Sequence, residues 1–155
     1  MKDNKLIIRC DDFINQQECR EFITIFNQSR SREFRNTFVL PYDSPKILRK
    51  LNNYFNFHNF EEMNPLIGSN MEIVLWPTNS WMDPHQDAGD YLSFIIYLND
   101  DFEGGETIVD GLEIKPKVGR LMIFSNGFYL HEVKKITKGK RYTLIAWYHF
   151  SPNSS

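Results

Sequence analysis

Alanine, the strongest helix former, occurs only twice in the 155 residues, at Ala88 and Ala146, and that scarcity tilts the expected fold towards strands. Cysteine is equally scarce. Cys10 and Cys19 are too few, and too close to one probable helix, for a secreted disulfide framework. Long apolar runs are missing as well. Runs such as Phe94 to Leu98 and Leu121 to Phe124 fall far short of the roughly 18 residues that cross a bilayer. Neither sign of charge dominates. Eighteen Lys and Arg stand against 20 Asp and Glu, and a net charge of −2 gives no general attraction to nucleic acid or anionic lipid. The first ten residues, charged around Leu6-Ile7-Ile8, do not read as a secretion signal. These absences predict a reduced, cytoplasmic protein with no membrane partner.

What is present suits a folded domain. Hydrophobic residues make up 41% of the chain and charged residues 25%, a balance that excludes disorder. Thirteen Phe, seven Tyr and three Trp, 15% of the chain, are enough to fill a sizeable core. The length predicts one domain over residues 1–150, with 151–155 a frayed tail.

Residues 10–30 read as a helix. Asn15 and Glu18 stand at capping-box spacing, and Cys19, Phe22, Ile23 and Phe26 recur on one helical face. Residues 31–44 alternate weakly and end between Pro41 and Pro45. Pro45 suits the first turn of a second helix with the stripe Ile47, Leu48, Leu51, Tyr54 and Phe55. Asn64-Pro65 and Gly68-Ser69 read as loop. From Met71 the pattern becomes one of short strands: 71–76, 91–98, 106–109, 112–114, 121–124, 129–134 and 141–150. Gly104-Gly105, Asp110-Gly111, Pro116, Gly119, Asn126-Gly127 and Gly139 separate them. The predicted class is mainly β with flanking helices, a sandwich or barrel with two N-terminal helices packed on one sheet.

Four histidines occur. His85-Gln86-Asp87 would set an imidazole and a carboxylate on one face of a strand, two thirds of the 2-His-1-carboxylate set that non-haem iron favours. H-x-D alone is a weak signal. His131, in a strand where Tyr129 and Val133 share its face, is a candidate third ligand; a lone histidine there is also compatible with a plain core position. Ten residues on, Arg141 opens the strand Tyr142, Leu144, Ile145, Ala146 and Trp147, which carries no acidic residue. A guanidinium stays charged, so it needs a remote carboxylate or an anionic ligand. His58 and His149 have no partner spacing and read as structural.

The order H-x-D, then His, then a basic residue ten positions later resembles the Fe(II)/2-oxoglutarate-dependent dioxygenases, specifically their prolyl 4-hydroxylase branch. Tyr97-Leu98-Asn99, Gly104-Gly105-Glu106-Thr107, Gly119 to Phe124, His131-Glu132-Val133 and Gly139 to Trp147 also match, and Asp12-Phe13-Ile14 resembles that family's N-terminal helix. The likeness is good over roughly residues 70–150 and weak before them. It implies a double-stranded β-helix (jelly roll) holding iron on His85, Asp87 and His131. Arg141 would take the C5 carboxylate of 2-oxoglutarate, with the Tyr97 hydroxyl assisting and Thr143 adding a second hydroxyl. It implies Fe(II), 2-oxoglutarate and O2 as cofactor and cosubstrates, with ascorbate as accessory reductant. The implied reaction is hydroxylation of a prolyl residue in a peptide or protein, with release of succinate and CO2. One position departs from the family pattern: Trp76-Pro77 stands where a Tyr usually lines the cosubstrate pocket, and an indole N–H donates but cannot accept.

Substrate recognition is expected on the loop 77–84, with Trp81, Met82 and Asp83, and around Arg32, Arg35, Tyr42 and Trp147. Lys134, Lys135, Lys138 and Lys140 form a basic hairpin, read as a solvated turn. Two other readings remain open: an oxygenase acting on a free amino acid or other small molecule, and a non-catalytic jelly-roll binding module. A nucleic-acid dealkylase is disfavoured, because Tyr142 to Phe150 carries no second arginine.

Overall fold

A computed structural model describes residues 7–57, 63–65, 71–89 and 91–150. His58, Gly68-Ser69 and the tail 151–155 lie outside the described residues, as does the side chain of His149. Along the chain, strand β1 (Ile7–Cys10) precedes helix α1 (Gln16–Gln28), the hairpin β2 (Arg32–Phe34) and β3 (Thr37–Pro41), and helix α2 (Pro45–Phe57). Strands β4 (Met63–Pro65), β5 (Glu72–Trp76), β6 (Met82–His85) and β7 (Tyr91–Tyr97) follow. The rest of the chain is β8 (Glu103–Gly104), β9 (Thr107–Val109), β10 (Leu112–Ile114), β11 (Leu121–Ser125), β12 (His131–Val133), β13 (Ile136–Lys138) and β14 (Arg141–Phe150).

The strands form a large antiparallel sheet in the order β1-β11-β7-β14-β5-β3-β2, with β4 also on β14, and a small one in the order β10-β9-β12-β6. A two-stranded ribbon, β13-β8, closes one end. Alternation along each strand decides what each face buries. Leu92, Phe94 and Ile96 of β7, and Tyr142, Leu144, Ala146 and Tyr148 of β14, pack with Cys19, Phe22 and Phe26 of α1 and with Ile47 and Leu51 of α2 in one buried cluster. This is the expected arrangement of two N-terminal helices on one sheet. The opposite face carries Ser93, Ile95, Trp76, Arg141, Thr143 and Trp147, and these line a cavity closed on its far side by the small sheet. A second apolar cluster, Tyr97, Val109, Ile114, Met122 and Phe124, seals one end between the sheets.

Local chemistry explains the ends of α1. Asn15 Oδ1 accepts from the Glu18 N–H at 2.8 Å and Glu18 Oε1 accepts from the Asn15 N–H at 3.1 Å, so the helix starts at Gln16 rather than at residue 10. The residues before it instead pair as the edge strand β1 against β11, with Ile7 opposite Phe124. Two short strands were expected as loop or not at all: β4, which pairs Pro65 with Tyr148, and β13, which pairs Ile136 with Gly104. Two- and three-residue strands carry too little periodicity to be read from sequence.

Candidate active site

His85 is the last residue of β6 and lies opposite His131, the first residue of β12. Ladder pairing therefore sets the two imidazoles side by side, with ring centres 4.3 Å apart. Asp87 is not on the strand, as the H-x-D spacing suggested, but two residues past its end. Its N–H donates to the Asn126 carbonyl at 3.1 Å, and the Gln86 amide donates to the Phe128 carbonyl at 2.8 Å. Gly127 permits this clasp: a Cβ there would sit 2.2 Å from the Gly89 carbonyl oxygen. The result is one ligand atom each from His85, Asp87 and His131, all within 4.8 Å of one another. His85 Nε2 is 3.3 Å from Asp87 Oδ1 and His131 Nε2 is 3.4 Å from Asp87 Oδ2.

The other imidazole nitrogens fix the rings. His85 Nδ1 lies 2.9 Å from the Asp83 carbonyl and His131 Nδ1 lies 2.9 Å from the Tyr129 carbonyl. A carbonyl only accepts, so each Nδ1 carries a proton, and a metal in the shared centre would meet the lone pair of each Nε2. The neighbouring His131 holds the Asp87 carboxyl below its ordinary range, His85 and Arg35 add to this, and partial burial opposes it. Two imidazoles and one carboxylate on a single side of a centre are the donor set and geometry of a divalent first-row metal with open positions, as in non-haem Fe(II) sites.

Arg141 lies deeper in the same cavity of about 280 Å³, 1% exposed. Its Nε donates to the Gly105 carbonyl at 2.9 Å and its Nη2 to Thr107 Oγ1 at 3.0 Å. Its guanidinium carbon is 5.1 Å from the ring centres of both Trp76 and Tyr97. Gly105, at φ +72°, allows this approach; a Cβ would meet the Phe102 ring at 2.8 Å and Arg141 Cδ at 3.1 Å. Among the described residues no carboxylate pairs with Arg141, and burial works against its charge. Beside it on β14 the Thr143 hydroxyl is fully buried, and among the described residues it has no hydrogen-bond partner. A buried cation and an orphaned hydroxyl at the inner end of the cavity ask for an anion with acceptor oxygens. A dicarboxylate reaching back to the metal centre would satisfy both.

Tyr97 differs from expectation. It does not line the cavity: its hydroxyl sits 2.7 Å from Thr107 Oγ1, donates to the Ile114 carbonyl at 3.1 Å and accepts from the Thr107 N–H at 3.2 Å. It supports Arg141 from behind and does not offer a free hydroxyl. Thr107, the link between them, was quoted in the family likeness without a role; the inward alternation of Thr107 and Val109 on β9 was the available signal. Trp76 occupies the cavity wall beside Arg141.

A wider cavity of about 670 Å³ opens outward from the same centre, and Arg32, Trp81, Asp83 and Trp147 all line it. Met82 and Arg35 border both cavities. Trp81 is held by its neighbours in the loop after β5, where the Asn79 N–H donates to the Ile136 carbonyl and the Thr78 hydroxyl to the Gly139 carbonyl. Phe34, at the tip of the β2–β3 hairpin and 48% exposed, lines both cavities and was missed because a single exposed aromatic carries no pattern. Tyr42 is not at the mouth. Its ring packs edge-on against Phe22, centres 6.0 Å apart, on the helical side of the sheet.

Residues 71–149 match the family model of the 2OG-Fe(II) oxygenase superfamily. The human protein named Prolyl 3-hydroxylase 2 is 40% identical over 80 residues, which cover 46% of this chain and 11% of that protein. The chain therefore matches only a small part of the length of that relative. The crystal structure of a viral collagen prolyl hydroxylase from Paramecium Bursaria Chlorella virus-1, as a 2OG complex, superposes with a TM-score of 0.77 at 17% identity, covering 94% of this chain and 96% of that one. A Pseudomonas putida prolyl-4-hydroxylase superposes with a TM-score of 0.75 at 18% identity, covering 94% and 93%. These two likenesses bear on the fold, and they agree with the jelly roll described above.

Proposed function

The chain belongs to the 2OG-Fe(II) oxygenase superfamily, and from that premise we propose that it is an Fe(II)- and 2-oxoglutarate-dependent dioxygenase that hydroxylates a prolyl residue in a peptide or protein. The observation that carries this reading is the pairing of a His85, Asp87 and His131 cluster within 4.8 Å with the buried, carboxylate-free Arg141 in one cavity.

His85 Nε2, His131 Nε2 and Asp87 would hold the iron, and the Asp83 and Tyr129 carbonyls keep both rings in the tautomer that leaves Nε2 free. Arg141 offers a planar fork to the distal carboxylate of 2-oxoglutarate, and Thr143 offers its unpartnered hydroxyl beside it. When bound, the iron and cosubstrate supply the oxidising chemistry, in which O2 and 2-oxoglutarate give succinate, CO2 and one oxygen atom inserted into a substrate C–H bond. Trp76, Ile95, Phe124 and Val133 wall the inner cavity and exclude water from that chemistry. The outer cavity, with Trp81, Asp83, Arg32 and Trp147 on its walls, is the place for the peptide.

The prolyl assignment is supported by the likeness to proteins named as prolyl hydroxylases. The test is succinate release with Fe(II) and 2-oxoglutarate across a panel of proline-containing peptides and free amino acids, with mass spectrometry for gain of one oxygen. NMR of the product ring then distinguishes 3- from 4-hydroxyproline. Turnover by proline-free substrates alone would overturn the prolyl assignment and leave the oxygenase in place.

A further inference from the structure

The outer cavity does not end at Trp81. Trp81, Met82 and Asp83 also line a second groove, of about 340 Å³, that continues past β12 to Lys134 and Lys135. Trp81 thus stands between two stretches of one track, with Arg32 and Arg35 on the cavity side and Lys135 on the other.

The cations along this track share an unusual setting. Arg32 and Arg35 place their guanidinium carbons 5.7 Å and 5.3 Å from the ring centre of the exposed Phe34, and Lys135 places Nζ 5.6 Å from Trp81. Among the described residues none of the three forms an ion pair. An aromatic face orients a cation without neutralising it. The carboxylates nearby are differently placed. Glu132 is paired with Lys134 at 3.2 Å, and Asp83 accepts from the Trp81 indole at 3.2 Å. Glu72 is half-buried on the cavity wall. Among the described residues Arg32, Arg35 and Lys135 are therefore held in place without a direct ion pair, Arg32 acting on Glu72 and Arg35 on Asp87 only at longer range.

We propose that this track selects an acidic peptide, with Asp or Glu side chains on both sides of the reacting proline, one set against Arg32 and Arg35 and the other against Lys135. The inference rests on the prolyl hydroxylase reading and adds the substrate class. Charge pairs at a solvent-exposed rim are individually weak, so each cation contributes about two- to fivefold. Together they discriminate by about tenfold and lose most of this at high salt.

The experiment uses three labelled peptides of equal length, each with one central proline, flanked by Asp and Glu, by Ser and Gln, or by Lys. Binding is read by anisotropy and turnover by oxygen gain, at low and high salt, in the wild type and in Arg32→Gln, Arg35→Gln and Lys135→Gln. Arg35→Lys and Lys135→Arg keep charge while changing shape. The expected result is tighter binding and about tenfold higher kcat/KM for the acidic peptide, narrowing with salt and in each Gln variant and preserved in the charge-retaining ones. Equal handling of acidic and neutral peptides, preference for the Lys peptide, or no peptide binding at all would overturn it. Acidic peptide that binds selectively but gains no oxygen would sustain the docking inference and sink the hydroxylase reading. Neutral peptide hydroxylated as well as acidic would do the reverse.

Discussion

Arg141 Nη2 donates to Thr107 Oγ1 at 3.0 Å, and that hydroxyl in turn lies 2.7 Å from the Tyr97 hydroxyl, whose own proton goes to the Ile114 carbonyl at 3.1 Å. Each hydroxyl in this chain accepts from one side and donates to the other, and the Ile114 carbonyl accepts at its end, so the guanidinium has one orientation, anchored across β9, β7 and β10. Thr107→Val removes the middle link and leaves a buried donor on Arg141 and a lost partner on Tyr97, a cost of about 1–3 kcal/mol. The expected outcome is a rise of about five- to tenfold in KM for 2-oxoglutarate, with kcat at saturation much less affected. Thr107→Ser should restore it. A KM that stays unchanged in a folded Thr107→Val protein would show that the chain does not orient Arg141.

The buried guanidinium also predicts how ligands act on stability. Without an anion, Arg141 is a desolvated charge whose hydrogen bonds among the described residues go to neutral acceptors, with Glu106 attracting it only at longer range. Anything that binds the native cavity and not the unfolded chain raises stability by mass action, about 2.7 kcal/mol at a hundred times Kd. For a domain of this size that is about 5–10 °C in Tm. Divalent metal plus 2-oxoglutarate should raise the wild-type Tm by that amount in differential scanning fluorimetry. In Arg141→Ala the part due to 2-oxoglutarate should vanish while the part due to metal stays.

Metal binding should depend on backbone groups as much as on the three ligands. Asp87 reaches the centre because its N–H is held by the Asn126 carbonyl, and Gly127 lets the two loops close to van der Waals distance. Gly127→Ala would push a methyl group into the Gly89 carbonyl and move Asp87. We expect weaker Co(II) binding, read from its visible d–d bands, with His85 and His131 still present. His131→Ala should abolish the bands altogether.

The ligand set was legible in the sequence because its signal is local: His85 and Asp87 lie two residues apart, and Arg141 follows His131 by ten residues, across the short strand β13. The helices were legible for the same reason, through the Asn15–Glu18 box and the apolar spacing of α1 and α2. What escaped was set by tertiary pairing. β1 exists because β11 offers it an edge, and nothing in Ile7–Cys10 distinguishes a strand from the run-in to a helix. Tyr42 and Trp81 are both aromatic residues near prolines, yet one packs on Phe22 and the other stands at the cavity mouth. Asp87 was assigned to a strand that ends at His85, and only the clasp to Asn126, a backbone contact without a side-chain signature, shows why it still meets the histidines.

The N-terminal edge strand is tied down by charge, and that tie should fail in acid. Asp11, just after β1, accepts from Arg120 Nε at 2.7 Å and from Arg120 Nη2 at 3.3 Å, with Lys117 Nζ 3.4 Å away. The Arg120 hydrogen bonds hold its carboxyl down to about 2, reinforced by the charges of Arg120 and Lys117. A group whose pKa is lower folded than unfolded adds stability above its unfolded value, near 4, and loses that contribution as pH falls through its folded value. Asp11→Asn should therefore lower Tm relative to wild type at pH 7 and equally at pH 5. The gap should shrink below pH 4 and close near pH 2, where the wild-type carboxylate is itself protonated. Because Asp11 is partly exposed, the gap should also narrow in high salt. Thermal melts of the two proteins across that range decide it: a Tm difference constant down to pH 2 would mean that Asp11 acts through packing or backbone geometry and not through its charge on Arg120.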